Sequence, residues 1–496
     1  MRGSRLGWRS AASRPQRHDG TSMPVPPDDV PPDVSATDPQ YSPEFQAGLL
    51  ASQKGDRVAA VEAFTRAAGR FPMYGPTHAN LGTLTGQLGH SALAMRCFQR
   101  ALAVDPGHAE AWSNFASQLC RVHRDEDAIA VLKRALSVAP RHAGALCNLG
   151  AILFDAGQTA RAEACFRQSL ALDPTMHKAA KNLGFALLRR GDLGAGFGWY
   201  EHRHAVSPPP APMLDTPVPR WRGGALNGVS LLAVTEQGEG DSIQFVRYAK
   251  LVERGGGTLT MLCSPALKRL MTRADGVRQV VADGDRMPRV DAWTPLLSLP
   301  HLLGTDRGSI PGGVPYLHPA PEDAAAWRTR LSDTAGLKVG LVWAGNPSFE
   351  GDRWRSPRFT AVAPLLTLPG VHMVLLQVGD GRRDLAGHVL PTTVTDLGDR
   401  IRDFADTAAI MAGLDLVITS CTAPAHLAGA LGRPVWIMLP FAADWRWMEG
   451  RADSPWYPTA RLFRQPTPGD WTSVVTAISA ELQAVAAGRR PLNGLV

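Results

Sequence analysis

The chain has 496 residues, 44% of them apolar, which is enough for about three domains with sizeable cores. Its formal net charge is +7, but five arginines (Arg2, Arg5, Arg9, Arg14, Arg17) against Asp19 place +4 of it in residues 1–20. The remaining +3 is no nucleic-acid footprint, and no apolar run of about 18 residues occurs that would make a membrane-spanning helix.

Residues 1–40 are Arg- and Ser-rich and then Pro-rich. They lack the amphipathic helix of a transit peptide and are expected to be a disordered tail. From residue 41 a period of 34 governs the sequence. Asn80, Asn114, Asn148 and Asn182 share one phase, each followed by an apolar residue and then Gly or Ala. Ala60, Ala94, Ala128 and Ala162 share another, as do Phe64, Phe98, Leu132 and Phe166, and Pro72, Pro106, Pro140 and Pro174 end the units. Small residues suit close helix crossings, larger ones fill between them, and each proline stops a second helix because it has no N–H to donate. The units run about 41–74, 75–108, 109–142 and 143–176, with a fifth from 177 that degenerates near Trp199-Tyr200-Glu201. In period and register the segment 41–204 resembles the tetratricopeptide repeats, two short helices per unit.

The asparagines need a separate reason, since Asn costs roughly half a kcal/mol against Ala inside a helix. A row of amides along one solenoid face offers donors and acceptors to an extended peptide backbone. The competing reading is that Asn-Leu-Gly is a packing habit of such repeats. Cys97, Cys120, Cys147 and Cys165 fall within repeat helices, where Cys acts as a small hydrophobe. None of the six cysteines has metal-ligand spacing. This usage fits a reducing, cytoplasmic location.

A Pro-rich stretch, 205–219, reads as a linker. After it the period changes. Strands are expected at Ser230–Thr235, Thr258–Cys263 and a segment ending near Ala282, then at Lys338–Trp343, His372–Gln377, Leu414–Thr419 and Pro434–Leu439, with helices between. Two βαβ series in tandem predict two Rossmann-like α/β domains, 220–330 and 331–496, whose ligands bind beyond the carboxyl ends of the strands. Three loops there carry chemistry. Glu236-Gln237-Gly238-Glu239-Gly240-Asp241 turns into a helix, and Asp241 is either an N-cap or a carboxylate able to accept a proton. In Trp343-Ala344-Gly345-Asn346-Pro347, Gly345 and Asn346 let backbone amides approach a ligand, and Arg353 and Arg355 follow as phosphate partners or a solvated basic loop. In Ser420-Cys421-Thr422-Ala423-Pro424-Ala425-His426, Thr422 is placed to cap a helix whose N-terminus favours an anion. His426 is a phosphate donor or a satisfied helix residue. The Cys421 thiol lies where a helix dipole lowers its pKa. Asp283-Gly284-Asp285 has the form of a metal-dependent sugar-nucleotide site, but it lies in a polar turn and is read as structural.

Together these loops resemble the metal-independent, two-Rossmann-domain (GT-B) glycosyltransferases of the heptosyltransferase-like family nine, and most of all its repeat-bearing subgroup. Glu236 to Tyr248 is similar to that subgroup's Glu-Gln-Gly-x-Gly-Asp-x-x-Gln-Phe-x-Arg-Tyr segment. Gly340 to Asn346 and Asp444 to Pro458 are similar to its two later segments. The pairing of repeats with such a domain is also similar to protein O-GlcNAc transferases, whose asparagine ladder holds peptides. The resemblance implies a transferase that moves sugar from a nucleotide sugar to a protein or peptide, with no metal and no further cofactor. It assigns Asp241 as general base. Gly240, Gly345, Asn346, Arg355, Thr422 and His426 would hold the nucleotide sugar, and Asn80, Asn114, Asn148 and Asn182 the peptide. The chain departs from the pattern at Glu239, where Leu is usual, and at Cys421, where Asp is usual. Pro424 also removes a donor from the helix's first turn. These departures favour an alternative, a non-catalytic peptide-binding scaffold.

Overall fold

The computed structural model describes residues 38–206, 216–282, 284–349 and 351–492. Most of the tail, the middle of the 205–219 linker and Asp283 lie outside the described residues. The described chain forms two compact units: the repeats as far as residue 186, and residues 187–204 together with the described residues from 216 to 492.

In the first unit, helices pair as the 34-residue period requires: α1 (Pro43–Gln53) with α2 (Arg57–Arg70), α3 (Gly75–Gln87) with α4 (Ser91–Val104), α5 (Ala109–Arg121) with α6 (Asp125–Val138), and α7 (Ala143–Asp155) with α8 (Thr159–Leu172). A ninth helix, α9 (His177–Arg190), follows, then α10 (Leu193–Tyr200) in the second unit. Pro72, Pro106, Pro140 and Pro174 each stand two residues beyond a second helix. The phase-matched Ala60, Ala94, Ala128 and Ala162 and the larger Phe64, Phe98, Leu132 and Phe166 are all fully buried. The glycine phase has a specific cause. A Cβ on Gly48, Gly82 or Gly150 would lie 2.6–2.8 Å from the ring of Phe64, Phe98 or Phe166, closer than real contacts allow. The third unit has Ala116 at the glycine phase and Leu132 at the aromatic phase, so a larger residue on one helix accompanies a smaller one on the other.

The second unit holds two all-parallel sheets. The strands are β1 (Ser230–Val234), β2 (Thr258–Cys263), β3 (Val277–Ala282), β4 (Ala292–Pro295), β5 (Leu337–Val342), β6 (Val371–Leu375), β7 (Val394–Asp396), β8 (Leu416–Ser420), β9 (Val435–Leu439) and β10 (Ala460–Arg464). The first sheet has the order β3-β2-β1-β4 and the second β10-β9-β8-β5-β6-β7. Every residue of β8 and β9 is buried, as expected for strands covered on both faces. Leu416, Ile418, Trp436 and Met438 of these strands join Trp343, Phe359, Leu375 and Ile478 in the second sheet's core. In each sheet the order reverses at one point, between β1 and β4 and between β5 and β8, the place beyond whose carboxyl ends such sheets take their ligands.

Candidate functional site

The loop after β1 enters helix α11 (Glu239–Phe245). Asp241 stands at its third position and closes the turn, its Oδ2 accepting from the Gly238 amide at 2.8 Å. Its other oxygen accepts from Arg446 Nη2 at 2.5 Å. Arg446 also donates to Asp444 Oδ1 at 2.9 Å and to Gln244 Oε1 at 2.8 Å. The pair is well shielded, with 17% of the Asp241 side chain and 8% of Arg446 exposed. Burial lifts the Asp241 carboxyl above its usual range, against the pull of Arg446. Asp444 is exposed on its outer side, and Arg446 holds its carboxyl low.

The loops after β5 and β8 converge on one point. A Cβ on Gly345 would fall 2.9 Å from both Arg355 Nη2 and Thr422 Cγ2 and closer still to Asp352, so a side chain there would displace its neighbours. The Gly345 amide donates to Ser356 Oγ at 2.9 Å. Asn346 is exposed and ties its own loop, accepting from the Ser348 amide at 2.9 Å. Arg355 is directed inward. It pairs with Asp352 at 3.0 Å, donates to the Cys421 carbonyl at 3.4 Å, and lies 4.5 Å from the centroid of the Phe349 ring. Arg353, by contrast, is exposed against Trp354. Thr422 is the N-cap residue of the helix Ala423–Ala430, but its hydroxyl donates back to the Ser420 carbonyl at 3.4 Å and no side chain caps the helix. In the first turn Pro424 has no N–H and the Ala425 amide donates to the Thr422 carbonyl at 2.9 Å, so the Ala423 amide is the donor the helix start presents to an anion.

His426 lies one turn into that helix, stacked on Trp447 with centroids 5.1 Å apart, its Nδ1 3.0 Å from the Tyr457 hydroxyl. Burial, then the Arg446 charge, lower its pKa to about 3. At neutral pH the ring offers a hydrogen bond but no positive charge. Burial also overturns the expectation for Cys421: it pushes the thiol up to about 12, so the helix dipole does not produce a thiolate. Gly240 joins the two sheets' loops, since its Cβ would lie 3.0 Å from His426 Cδ2 and 3.3 Å from Ala423 Cα. Asp241 and Gly240 from the first sheet thus meet His426 and Arg446 from the second, and Gly345, Arg355 and Thr422 form a neighbouring cluster.

Sequence reasoning on single loops missed Arg446, Asp444 and Gln244. Their signal was present, because all three lie in the segments that carry the resemblance. Arg247 makes the same kind of link, donating to the Trp456 carbonyl at 2.9 Å and the Tyr316 hydroxyl at 2.9 Å. Asp285 binds Lys268 and the Ala282 amide, and among the described residues no group of three or more His, Cys, Asp or Glu side chains gathers as a metal site would.

In the repeats, the four asparagines are half-buried on the first helix of their units. Asn148 Nδ2 donates to Ser113 Oγ at 3.0 Å and Ser117 Oγ at 3.2 Å in the preceding unit. Its carbonyl accepts from Lys178 at 3.0 Å. Asn114 reaches Thr83 Oγ1 at the long limit of 3.5 Å. At Asn114 and Asn148 the amide therefore bridges successive units, a role the helix scale alone could not suggest.

A tetratricopeptide-repeat profile matches residues 107–175 and a second matches 149–202. The N-terminal region is a tetratricopeptide-repeat solenoid. Among solved structures the chain is similar to a thermophilic tetratricopeptide protein of Thermus thermophilus, with 23% identity, 33% of this chain and 90% of that one covered, and a TM-score of 0.31. It is similar also to PilW, a type IV pilus biogenesis factor, with 24% identity, 33% and 75% covered, and a TM-score of 0.31. The curated relative protein FlbA of Caulobacter vibrioides is 31% identical over 329 residues, 60% of this chain and 54% of FlbA. That stretch is longer than everything up to residue 204, so the match includes part of the α/β unit. The chain spans about half the length of this relative. No helix among the described residues is long and apolar enough to cross a membrane.

Proposed function

We propose that the chain is a glycosyltransferase of GT-B arrangement that moves a sugar from a nucleotide-sugar donor to a protein or peptide held by its tetratricopeptide repeats. The observation that carries this reading is the convergence of Gly345, Arg355 and Thr422 at the β5/β8 crevice. In this reading the donor diphosphate rests against Arg355 and the uncapped start of the helix Ala423–Ala430. Thr422 and neutral His426 supply hydrogen bonds, and Gly345 and Asn346 the close backbone approach. Stabilising the departing diphosphate with such a preorganised donor is typically worth about 3 kcal/mol. Asp241 accepts the proton of the attacking hydroxyl, and burial raises its proton affinity above that of an ordinary carboxylate. The acceptor oxygen bonds to the sugar's anomeric carbon as the bond to the diphosphate breaks.

A second reading, a peptide-binding scaffold without turnover, is favoured by the departures at Glu239, Cys421 and Pro424 and by the engagement of both Asp241 oxygens, by Arg446 and by the Gly238 amide. Incubation of the parent and Asp241→Asn with a panel of nucleotide sugars, following free nucleoside diphosphate, separates the two. The transferase reading expects release by the parent and a loss of roughly 100- to 10,000-fold in the variant, with nucleotide affinity retained. No release from any donor, together with no nucleotide binding, leaves the scaffold.

A further inference from the structure

The first sheet also has a crevice where its strand order reverses, between β1 and β4. The chain fills it with its own side chain. Arg203, 1% exposed, makes a bidentate pair with Glu236 just beyond the end of β1, at 2.7 and 3.1 Å, and Glu236 is fully enclosed. The same guanidinium donates to Ser298 Oγ, beyond the end of β4, at 2.9 Å. Glu236 also accepts from the Leu297 amide at 3.2 Å. That switch point is therefore occupied by an internal cation, paired and hydrogen-bonded as a buried charge must be.

The next residue is held from the same segment. Gln237 has φ of +64°, a left-handed conformation that costs a non-glycine residue about 1 kcal/mol or more unless its surroundings impose it. Its side-chain amide donates to the hydroxyl of buried Tyr200. Gly238 then donates its amide to Asp241. Three consecutive residues are thus fixed one after another: Glu236 by Arg203, Gln237 by Tyr200 and Gly238 by Asp241 itself.

We infer that the segment 200–203 is a positioning device: Arg203 closes the first crevice and, with Tyr200, holds the Glu236–Gly238 turn in the strained geometry that aims Asp241. This rests on the transferase reading for its catalytic consequence, though not for its structural one. Strain maintained by neighbours at a turn next to a functional carboxylate is the pattern expected of preorganisation. Arg203 and Tyr200 touch no reacting atom in this account and act only through the turn.

The test uses the full-length chain and two variants, Gln237→Gly and Tyr200→Phe. Glycine accepts the left-handed conformation without strain but has no amide to bond Tyr200, and Phe removes one hydroxyl. Hydrogen exchange over residues 236–245, thermal unfolding, nucleoside diphosphate affinity and release from nucleotide sugars are measured together. Expected are exchange in the turn and first helical residues faster by about tenfold or more, and a midpoint for Gln237→Gly equal to or above the parent's. Nucleotide affinity is unchanged, and kcat is lower by about tenfold with donor KM retained. A merely structural residue would lower stability and activity together. Parent-like exchange in both variants overturns the inference, as does faster exchange spread evenly over β1 and β4. If the parent releases no nucleotide, the transferase reading fails, and the exchange measurement alone still decides whether 200–203 sets the turn.

Discussion

Gly150 shows how one side chain's volume fixes a repeat. Its added Cβ would meet the buried Phe166 ring at 2.6 Å and Cys165 Cβ at 3.1 Å. Gly150→Ala gains up to about 1 kcal/mol in helix propensity, while overpacking typically costs about 1–3 kcal/mol. The ring is enclosed and cannot withdraw, so the clash wins and denaturant unfolding should show a less stable repeat unit. The double change Gly150→Ala with Phe166→Leu copies Ala116 and Leu132 of the third unit and should recover most of the loss. His426 supplies a pH test. Its pKa is about 3 folded against 6.5 for the free side chain. As pH falls below 6.5 the unfolded chain takes up a proton that the folded chain refuses. The stability it contributes is therefore complete above 6.5 and is lost progressively toward pH 3. His426→Phe should flatten the fall in stability between pH 6.5 and 4.5, by at most about 1.4 kcal/mol per pH unit. His204, lowered to about 3 by burial and then Arg203, acts in the same direction and keeps part of the slope in the variant. Equal slopes for parent and variant would show that His426 is not held neutral.

Whole elements differ in how far the sequence announces them. The repeat helices were legible because every unit solves the same packing problem at the same phase. β5, β8 and β9 were legible because strands covered on both faces are continuous apolar runs. The unanticipated strands β4, β7 and β10 all lie at sheet edges. They are short or interrupted, as in the Val-Thr-Asp of β7 and the Ala-Arg-Leu-Phe-Arg of β10, and the proline ending β4 is tolerated at an edge. The candidate loops were found because strand ends mark them. Arg446 was not singled out, because an ion pair between positions 205 residues apart leaves no periodicity behind. The asparagine row belongs at this scale. Asn148 bridges α7 to Ser113 and Ser117 of α5, so Asn148→Ala should cost about 1 kcal/mol of repeat stability in denaturant unfolding. The peptide-ladder reading adds a loss of about 1 kcal/mol in peptide affinity for each asparagine removed at positions 114 and 148, read by calorimetry. Reduced stability with unchanged affinity would make the row an inter-unit brace and nothing more.

At the scale of the molecule, the chain joins a repeat solenoid, whose second helices end at regularly placed prolines, to an α/β unit whose candidate chemistry lies at strand ends. The first sheet's crevice is closed by Arg203, and the second sheet's crevice is bordered by Arg355, Thr422 and the start of the helix Ala423–Ala430. A diphosphate is therefore expected at the second crevice and is expected to need Arg355. The most direct measurement is a calorimetric titration of uridine, guanosine, adenosine, cytidine and thymidine diphosphates into the full-length parent and into Arg355→Gln. One or more of them should bind the parent, and the variant, folded with a parent-like melting midpoint, should bind at least about tenfold more weakly, since a charge-assisted hydrogen bond is worth about 1.5–3 kcal/mol. No binding of any diphosphate to the parent, or equal binding by both proteins, would contradict the proposed site.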